Sequence, residues 1–180
     1  MLNNIIIRIA TAKDVDSVYD LALRLASIPD GLARTIEEIK KADIAKIIEN
    51  SLRNGKIFVA ELVNNENSTI KLIGNIYAYK YEPLSLRHCL GNLTIGVDKE
   101  FSGKGIGKAL FKAFLDDIIE NNPEIARVQL ETRESNIIAI NLYKSLGFQI
   151  EGIMKNRILD SKGNLTSDIM MSWFNPRFKK

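Results

Sequence analysis

The chain has 180 residues, a formal net charge of +3, 46% hydrophobic and 26% charged residues; that length fits one domain, the apolar share can bury a sizeable core, and global disorder is excluded. The small basic excess contains no run of five Lys or Arg, which argues against a nucleic-acid arm. One cysteine, Cys89, rules out an intramolecular disulfide, no stretch approaches the roughly 18 apolar residues that span a bilayer, and residues 1–4 lack the basic and apolar regions of a signal peptide, so a soluble cytoplasmic domain over residues 1–180 is expected, with neither membrane nor nucleic acid as partner.

Ile5–Ile9 is short, β-branched and apolar, and reads as a first strand. Thr11-Ala12-Lys13-Asp14 resembles a helix start, with a hydroxyl able to cap free backbone N–H groups. Val15, Val18, Leu21, Ala22 and Leu25 follow at helical spacing until Pro29-Asp30-Gly31. A second helix is expected over residues 35–52, with Ile36, Ile39, Ile44, Ile47 and Ile48 on one side and Asn54-Gly55 at its end. Strands over 57–63 and 70–79, joined by polar residues 64–68, read as a hairpin with a loose turn. Another strand lies at Cys89–Val97. A helix then runs to Glu120 with Ile106, Leu110, Phe114 and Ile118 on its apolar face, broken by Asn121-Asn122-Pro123. A strand over 127–132, a helix over 137–146 and two closing strands over 148–158 and 169–173 complete the order. Irregular alternation of this kind favours a mixed sheet covered by helices over an all-parallel one.

The segment Ser102-Gly103-Lys104-Gly105-Ile106-Gly107 sits where a strand passes into a helix. Glycine reaches positive φ without penalty and lets a ligand approach the backbone. The first turn of a helix offers unpaired N–H groups and the positive end of the helix dipole, so the segment reads as an anion site of the kind that takes phosphate. Lys104 and Lys108 add charge. A dinucleotide fingerprint fails because Lys108 stands where its third glycine belongs, and a nucleotide-triphosphate loop fails at Ser102 and Ala109. The bland alternative is a loop that needs glycine only to turn.

Val97-Asp98-Lys99-Glu100-Phe101-Ser102-Gly103-Lys104-Gly105-Ile106-Gly107-Lys108-Ala109-Leu110 resembles the acetyl-CoA signature of the GCN5-related N-acetyltransferase (GNAT) superfamily, [Gln/Arg]-x-x-Gly-x-[Gly/Ala]. Asn136-Ile137-Ile138-Ala139-Ile140-Asn141-Leu142-Tyr143-Lys144-Ser145-Leu146-Gly147-Phe148 is similar to the second hallmark of that superfamily. The resemblance runs from about Leu93 to Phe148. It implies an α/β fold of three layers, α-β-α: a mixed, mostly antiparallel sheet of about seven strands, with a splayed central parallel pair at 93–97 and 128–132 and about four helices. It also implies acetyl-CoA as co-substrate, without a metal, held in the V of that pair. The backbone of Ile95 and Val97 would meet the pantetheine arm, and Ser102, Gly103, Lys104, Gly105, Ile106, Gly107 and Lys108 would cradle the pyrophosphate. Asn136 and Tyr143 would lie near the thioester sulfur, with Ala139 of the same motif also against the cofactor. Ser102 departs from the family, where a Gln or Arg usually stands; serine keeps a backbone donor and a hydroxyl but loses the long polar arm.

The activity so implied is transfer of an acetyl group to a primary amine of a small molecule, an amino acid or a peptide N-terminus, directly in a ternary complex. A base, a donor for the carbonyl oxygen and an acid for the leaving thiolate are then required. Tyr143 is the candidate acid, since a phenol with an ordinary pKa of about 10 can protonate a thiolate. Glu131 is the candidate base, at the offset before Asn136 where some ribosomal-protein acetyltransferases of the family carry their catalytic glutamate; a surface ion pair with Arg133 or a nearby lysine is the alternative. The Val97 N–H is the oxyanion donor by the same resemblance. His88, the one histidine, is more readily a surface or core residue than a base, and Cys89 a buried spectator. One Cys and one His make no metal cluster. The acceptor groove would draw on the first two helices and the closing strands, with Gly152, residues 156–160, Asp168 and Met170. A non-catalytic acyl-CoA-binding regulatory module, favoured by Ser102, is the alternative function. Dimerisation is common in the family, and no interface is legible here.

Overall fold

The computed structural model describes residues 4–64 and 69–179. Seven strands form one sheet in the order β1-β2-β3-β4-β5-β7-β6: β1 Ile5–Ile9, β2 Gly55–Asn64, β3 Thr69–Lys80, β4 Cys89–Val97, β5 Arg127–Arg133, β6 Gln149–Leu159 and β7 Leu165–Phe174. Four helices accompany them, α1 Val15–Ala26, α2 Lys41–Asn54, α3 Ile106–Asn121 and α4 Ile137–Ser145. The pairing is antiparallel for β1 with β2, β5 with β7 and β6 with β7, and parallel for β4 with β5, where the ladder joins Cys89 to Arg127 and Leu90 to Val128. This is the mixed sheet with a central parallel pair that the family resemblance implies. The chain divides into two compact units, one formed by residues up to Tyr77 together with Thr94–Phe114, the other by Ala78–Leu93 and the residues from Leu115 onward. β3 and β4 each run from one unit into the other.

In the first unit, β2 is buried on both faces. Ile57 and Val59 join Val18, Leu21 and Leu25 of α1 and Ile44 and Ile48 of α2 in one apolar cluster. Phe58 points the other way and meets Phe114 of α3 edge-on, ring centroids 6.5 Å apart. Helices therefore cover both faces of this part of the sheet, each fully buried Leu, Ile or Phe contributing about 1.5–3 kcal/mol. The helix start expected at Thr11 takes the form of a capped 3-10 turn, Ala12–Asp14, that runs directly into α1. Thr11 Oγ accepts from the Lys13 N–H at 3.3 Å, and the Asp14 carboxylate accepts from the Thr11 N–H at 2.6 Å. Arg8 of β1 joins Asp14 at 2.7 Å and also pairs with Glu61, tying β1, β2 and the helix entry together.

The second helix differs from its expectation. Thr35 does open a capping box with Glu38, but the box caps a single 3-10 turn, Ile36–Glu38. Ile39 is extended, with φ −79° and ψ 113°, and α2 begins only at Lys41. Ile36 is 44% exposed, so the apolar stripe that reaches the core starts at Ile44. The expected hairpin turn at 64–68 falls mostly outside the described residues.

In the second unit, Val128, Leu130 and Thr132 of β5 face inward. Their partners on β7 are Trp173, Met171 and Ile169, all buried. Ile140 and Tyr143 are the buried residues of α4, and Tyr143 packs beside Phe148 with centroids 6.0 Å apart. Gly147, at φ +92°, lies against the Trp173 ring edge, 3.5 Å from where a Cβ would stand. The opposite face of β5 carries Arg127, Gln129, Glu131 and Arg133, a polar row set by the two-residue period of the strand.

Candidate active site

The glycine-rich loop belongs to the first unit, and its entry is anchored. The Asp98 N–H donates to Ile73 O at 2.8 Å, and the Asp98 carboxylate accepts from Arg24 at 2.9 Å and meets Lys71 at 3.3 Å. Burial pushes the Asp98 carboxyl up, yet the hydrogen bonds from Arg24 and Lys71 outweigh it and hold the group below its ordinary value. Gly96, at the end of β4, lies so close to Leu25 of α1 that any side chain there would collide with it. Ile95 and Val97, on either side of Gly96, are partly buried at the end of β4.

After a 3-10 turn at Lys99–Phe101, Gly103 and Gly105 adopt φ of +74° and +82°. Nothing lies within 4 Å of where either Cβ would stand. Two left-handed glycines stand in open space immediately before the first turn of α3, where backbone N–H groups are free for an anion and no side chain blocks its approach. Gly107 and Lys108 follow in that first turn, while Ile106 is buried as an anchor. Lys104 and Lys71 both lie over the Phe101 ring, 4.9 and 5.6 Å from its centroid, gathering cationic charge beside the loop. The residues present therefore fit a pyrophosphate. Ser102 is a partial exception: its N–H donates to Lys99 O at 3.2 Å, so the backbone donor expected of it is engaged within the turn.

In the second unit, Asn136 caps α4, its side chain accepting from the Ala139 N–H at 3.2 Å. That cap gives Asn136 and Ala139 a structural role whatever they touch besides. Tyr143 is only 7% exposed, and burial pushes its phenol up to about 12. Glu131 is engaged by an arginine that the sequence did not point to. Its carboxylate meets Arg157 of β6 at 2.6 Å, both side chains about 40% exposed. Because β7 lies between β5 and β6, this contact crosses a whole strand. A bulge makes it reachable: the β6–β7 register shifts between Met154 and Ile158, and Asn156 takes φ +54°.

Sequence reasoning did not find this pair, nor the Gln129 amide donating to the Tyr81 hydroxyl at 2.5 Å. The one trace of the latter is Gly91, where a methyl group would run into the Tyr81 ring. His88 is partly buried ahead of β4, its carbonyl accepting from the Ala126 N–H at 2.8 Å. Cys89 is buried, and burial pushes its thiol up, away from reactivity. Among the described residues no group of three or more His, Cys, Asp or Glu is placed to hold a metal, and no helix is long and apolar enough to cross a membrane.

A coenzyme A-type loop on a mixed sheet with a central parallel pair defines an acyltransferase-like class. The model of the acetyltransferase (GNAT) family matches residues 17–148. The chain belongs to the GNAT family. It is 36% identical over 76 residues to the [ribosomal protein bS18]-alanine N-acetyltransferase of Escherichia coli K12, covering 42% of this chain and 50% of that protein. It is 39% identical over 56 residues to the spermine/spermidine N(1)-acetyltransferase of Bacillus subtilis 168, covering 31% and 36%. These matches span half or less of the curated relatives' length. The phosphinothricin acetyltransferase of Sinorhizobium meliloti, solved in complex with acetyl-CoA, superposes with a TM-score of 0.77 at 20% identity over 96% of this chain and 89% of that one.

Proposed function

We propose that this protein is an acetyl-CoA-dependent N-acetyltransferase that acetylates a primary amine of a small molecule, amino acid or peptide N-terminus, working in the cytoplasm as one catalytic domain over residues 1–180. The observation that carries the proposal is the pair of left-handed glycines, 103 and 105, standing open before the first turn of α3. Membership of the GNAT family supports it, as does the acetyl-CoA bound to the S. meliloti relative in the same fold.

Acetyl-CoA supplies the thioester whose carbonyl carbon the amine attacks. The N–H groups of residues 103–108 and the charges of Lys104 and Lys108 hold its pyrophosphate, and the strand backbone at Ile95 and Val97 receives the pantetheine arm. Asn136 fixes the first turn of α4 and with Ala139 sets where Tyr143 stands. Glu131 takes the proton lost by the amine nitrogen as the new C–N bond forms. By the family resemblance, the Val97 N–H is the donor for the charge that develops on the carbonyl oxygen. As the C–S bond breaks, Tyr143 gives its phenolic proton to the departing sulfur. Its raised pKa leaves the phenol protonated and ready at any physiological pH, at the expense of driving force.

Thermal unfolding with and without acetyl-CoA tests cofactor binding, since ligand at 100 times its Kd stabilises by about 2.7 kcal/mol. Thiol release across amino acids, polyamines, aminoglycosides and peptides tests transfer. A thermal shift without turnover on any of them would leave the binding-module function in its place, and no shift would remove acetyl-CoA.

A further inference from the structure

The polar face of the second unit has a composition that selects among amines. Residues directly opposite across a sheet share a face, so Glu131, Met170 and Gly152 lie in one row across β5, β7 and β6. Arg133, Asp168 and Met154 form the next row. Nothing lies within 4 Å of where a Cβ of Gly152 would stand, which leaves space beside Met170. Arg157 comes off the bulge, packs against Met154 and reaches Glu131 above this floor. In these rows and the arginine above them, Glu131 and Asp168 stand against Arg133 and Arg157. Asp168 is only 7% exposed and Arg133 is half-buried, whereas Glu131 and Arg157 are exposed.

We propose that the Glu131–Arg157 pair is the recognition element for an acceptor bearing a carboxylate next to its amine, that is, a free amino acid, with Arg157 as the specificity-determining residue. The inference rests on Glu131 facing the amine, as set out above. A zwitterion can replace each partner's counter-charge at once, its ammonium against Glu131 and its carboxylate against the guanidinium fork, so neither charge is stripped of a partner. A polyamine or a peptide N-terminus satisfies Glu131 but leaves Arg157 facing either a second cation or an uncharged amide. The bulge at Asn156 supports a selected contact over an incidental surface pair, because a regular strand does not aim residue 157 across β7.

The test is a panel of L-amino acids, each beside its α-carboxamide, with spermidine and an alanine-initiated pentapeptide, in steady-state assays with acetyl-CoA. The expected result is a kcat/KM for the best amino acid at least about tenfold above that of its amide, the worth of one charge-assisted hydrogen bond. Arg157→Gln should bring that ratio to about one through KM for the acid, and Arg157→Lys should restore part of it, since it keeps the charge without the fork. An amide used as well as its acid, spermidine or the peptide as best acceptor, or an acid preference that survives Arg157→Gln overturns the proposal. Calorimetry of the same acid and amide against the coenzyme A-loaded protein separates this from a failure of catalysis. Arg157-dependent preference for the acid without turnover would sustain the inference and remove the acetyltransferase activity; equal binding of acid and amide would remove the inference.

Discussion

Tyr143 and Ser102 set the limits of the site at the scale of single residues. A phenol pushed up to about 12 by burial remains protonated through pH 10. A catalytic Tyr143 therefore puts no basic limb on the kcat profile below about pH 11, and any rise with pH belongs to groups that must lose a proton. Tyr143→Phe and Glu131→Gln should each lower kcat about 10²-fold or more with acetyl-CoA binding retained; an unchanged kcat removes the residue from the mechanism. Ser102, whose N–H is held by Lys99 O, offers an incoming phosphate little beyond its hydroxyl. Ser102→Arg should tighten acetyl-CoA binding several-fold by adding a charged fork, and Gly105→Ala should weaken it, because an alanine at φ +82° is strained by about 1 kcal/mol and fills the open cradle. Calorimetric Kd values for the two variants check both directions.

Elements whose identity depends on local pattern were legible in the sequence, and those decided by long-range contact were not. β1 and β4 have the bounds expected of them, and the four apolar positions of α3 are all buried. The false start of α2 has a physical cause. Thr35 and Glu38 make a true capping box, but the box serves one 3-10 turn, and Ile39 leaves helical geometry before a fourth residue can propagate it. The loop residues of the site were readable because glycine spacing before a helix is itself a conformational statement. The partner of Glu131 was not readable: Arg157 lies 26 positions away by sequence number, on a strand that is not a neighbour of β5, and reaches it only through a bulge with no sequence signal beyond an asparagine. The burial of Tyr143 is likewise a product of the residues folded around it, so the motif named the residue and gave no hint of its raised pKa.

For the whole molecule, two buried groups bound the pH range of stability. Asp14 is lowered from its ordinary 3.8 to about 2, first by the hydrogen bond from Arg8 and in spite of burial, so its contribution is present above pH 3.8 and is lost as pH falls toward 2. Tyr143 is raised from 10 to about 12, so its contribution is present below pH 10 and is lost as pH climbs toward 12. Melting temperature measured against pH should fall at both ends, and Asp14→Asn should flatten the acid limb.

The interleaving of the two units has a consequence for how the chain is made. Each unit is assembled from two separated stretches, and Thr94–Phe114 of the first emerges only after Ala78–Leu93 of the second. At a synthesis rate of roughly 5–20 residues per second, the N-terminal portion waits a few seconds on the ribosome for its glycine loop and α3. Neither unit is a contiguous fragment that could be cut out and expressed alone. The contacts of the first unit are therefore complete only once Phe114 has been synthesised, after the first stretch of the second unit.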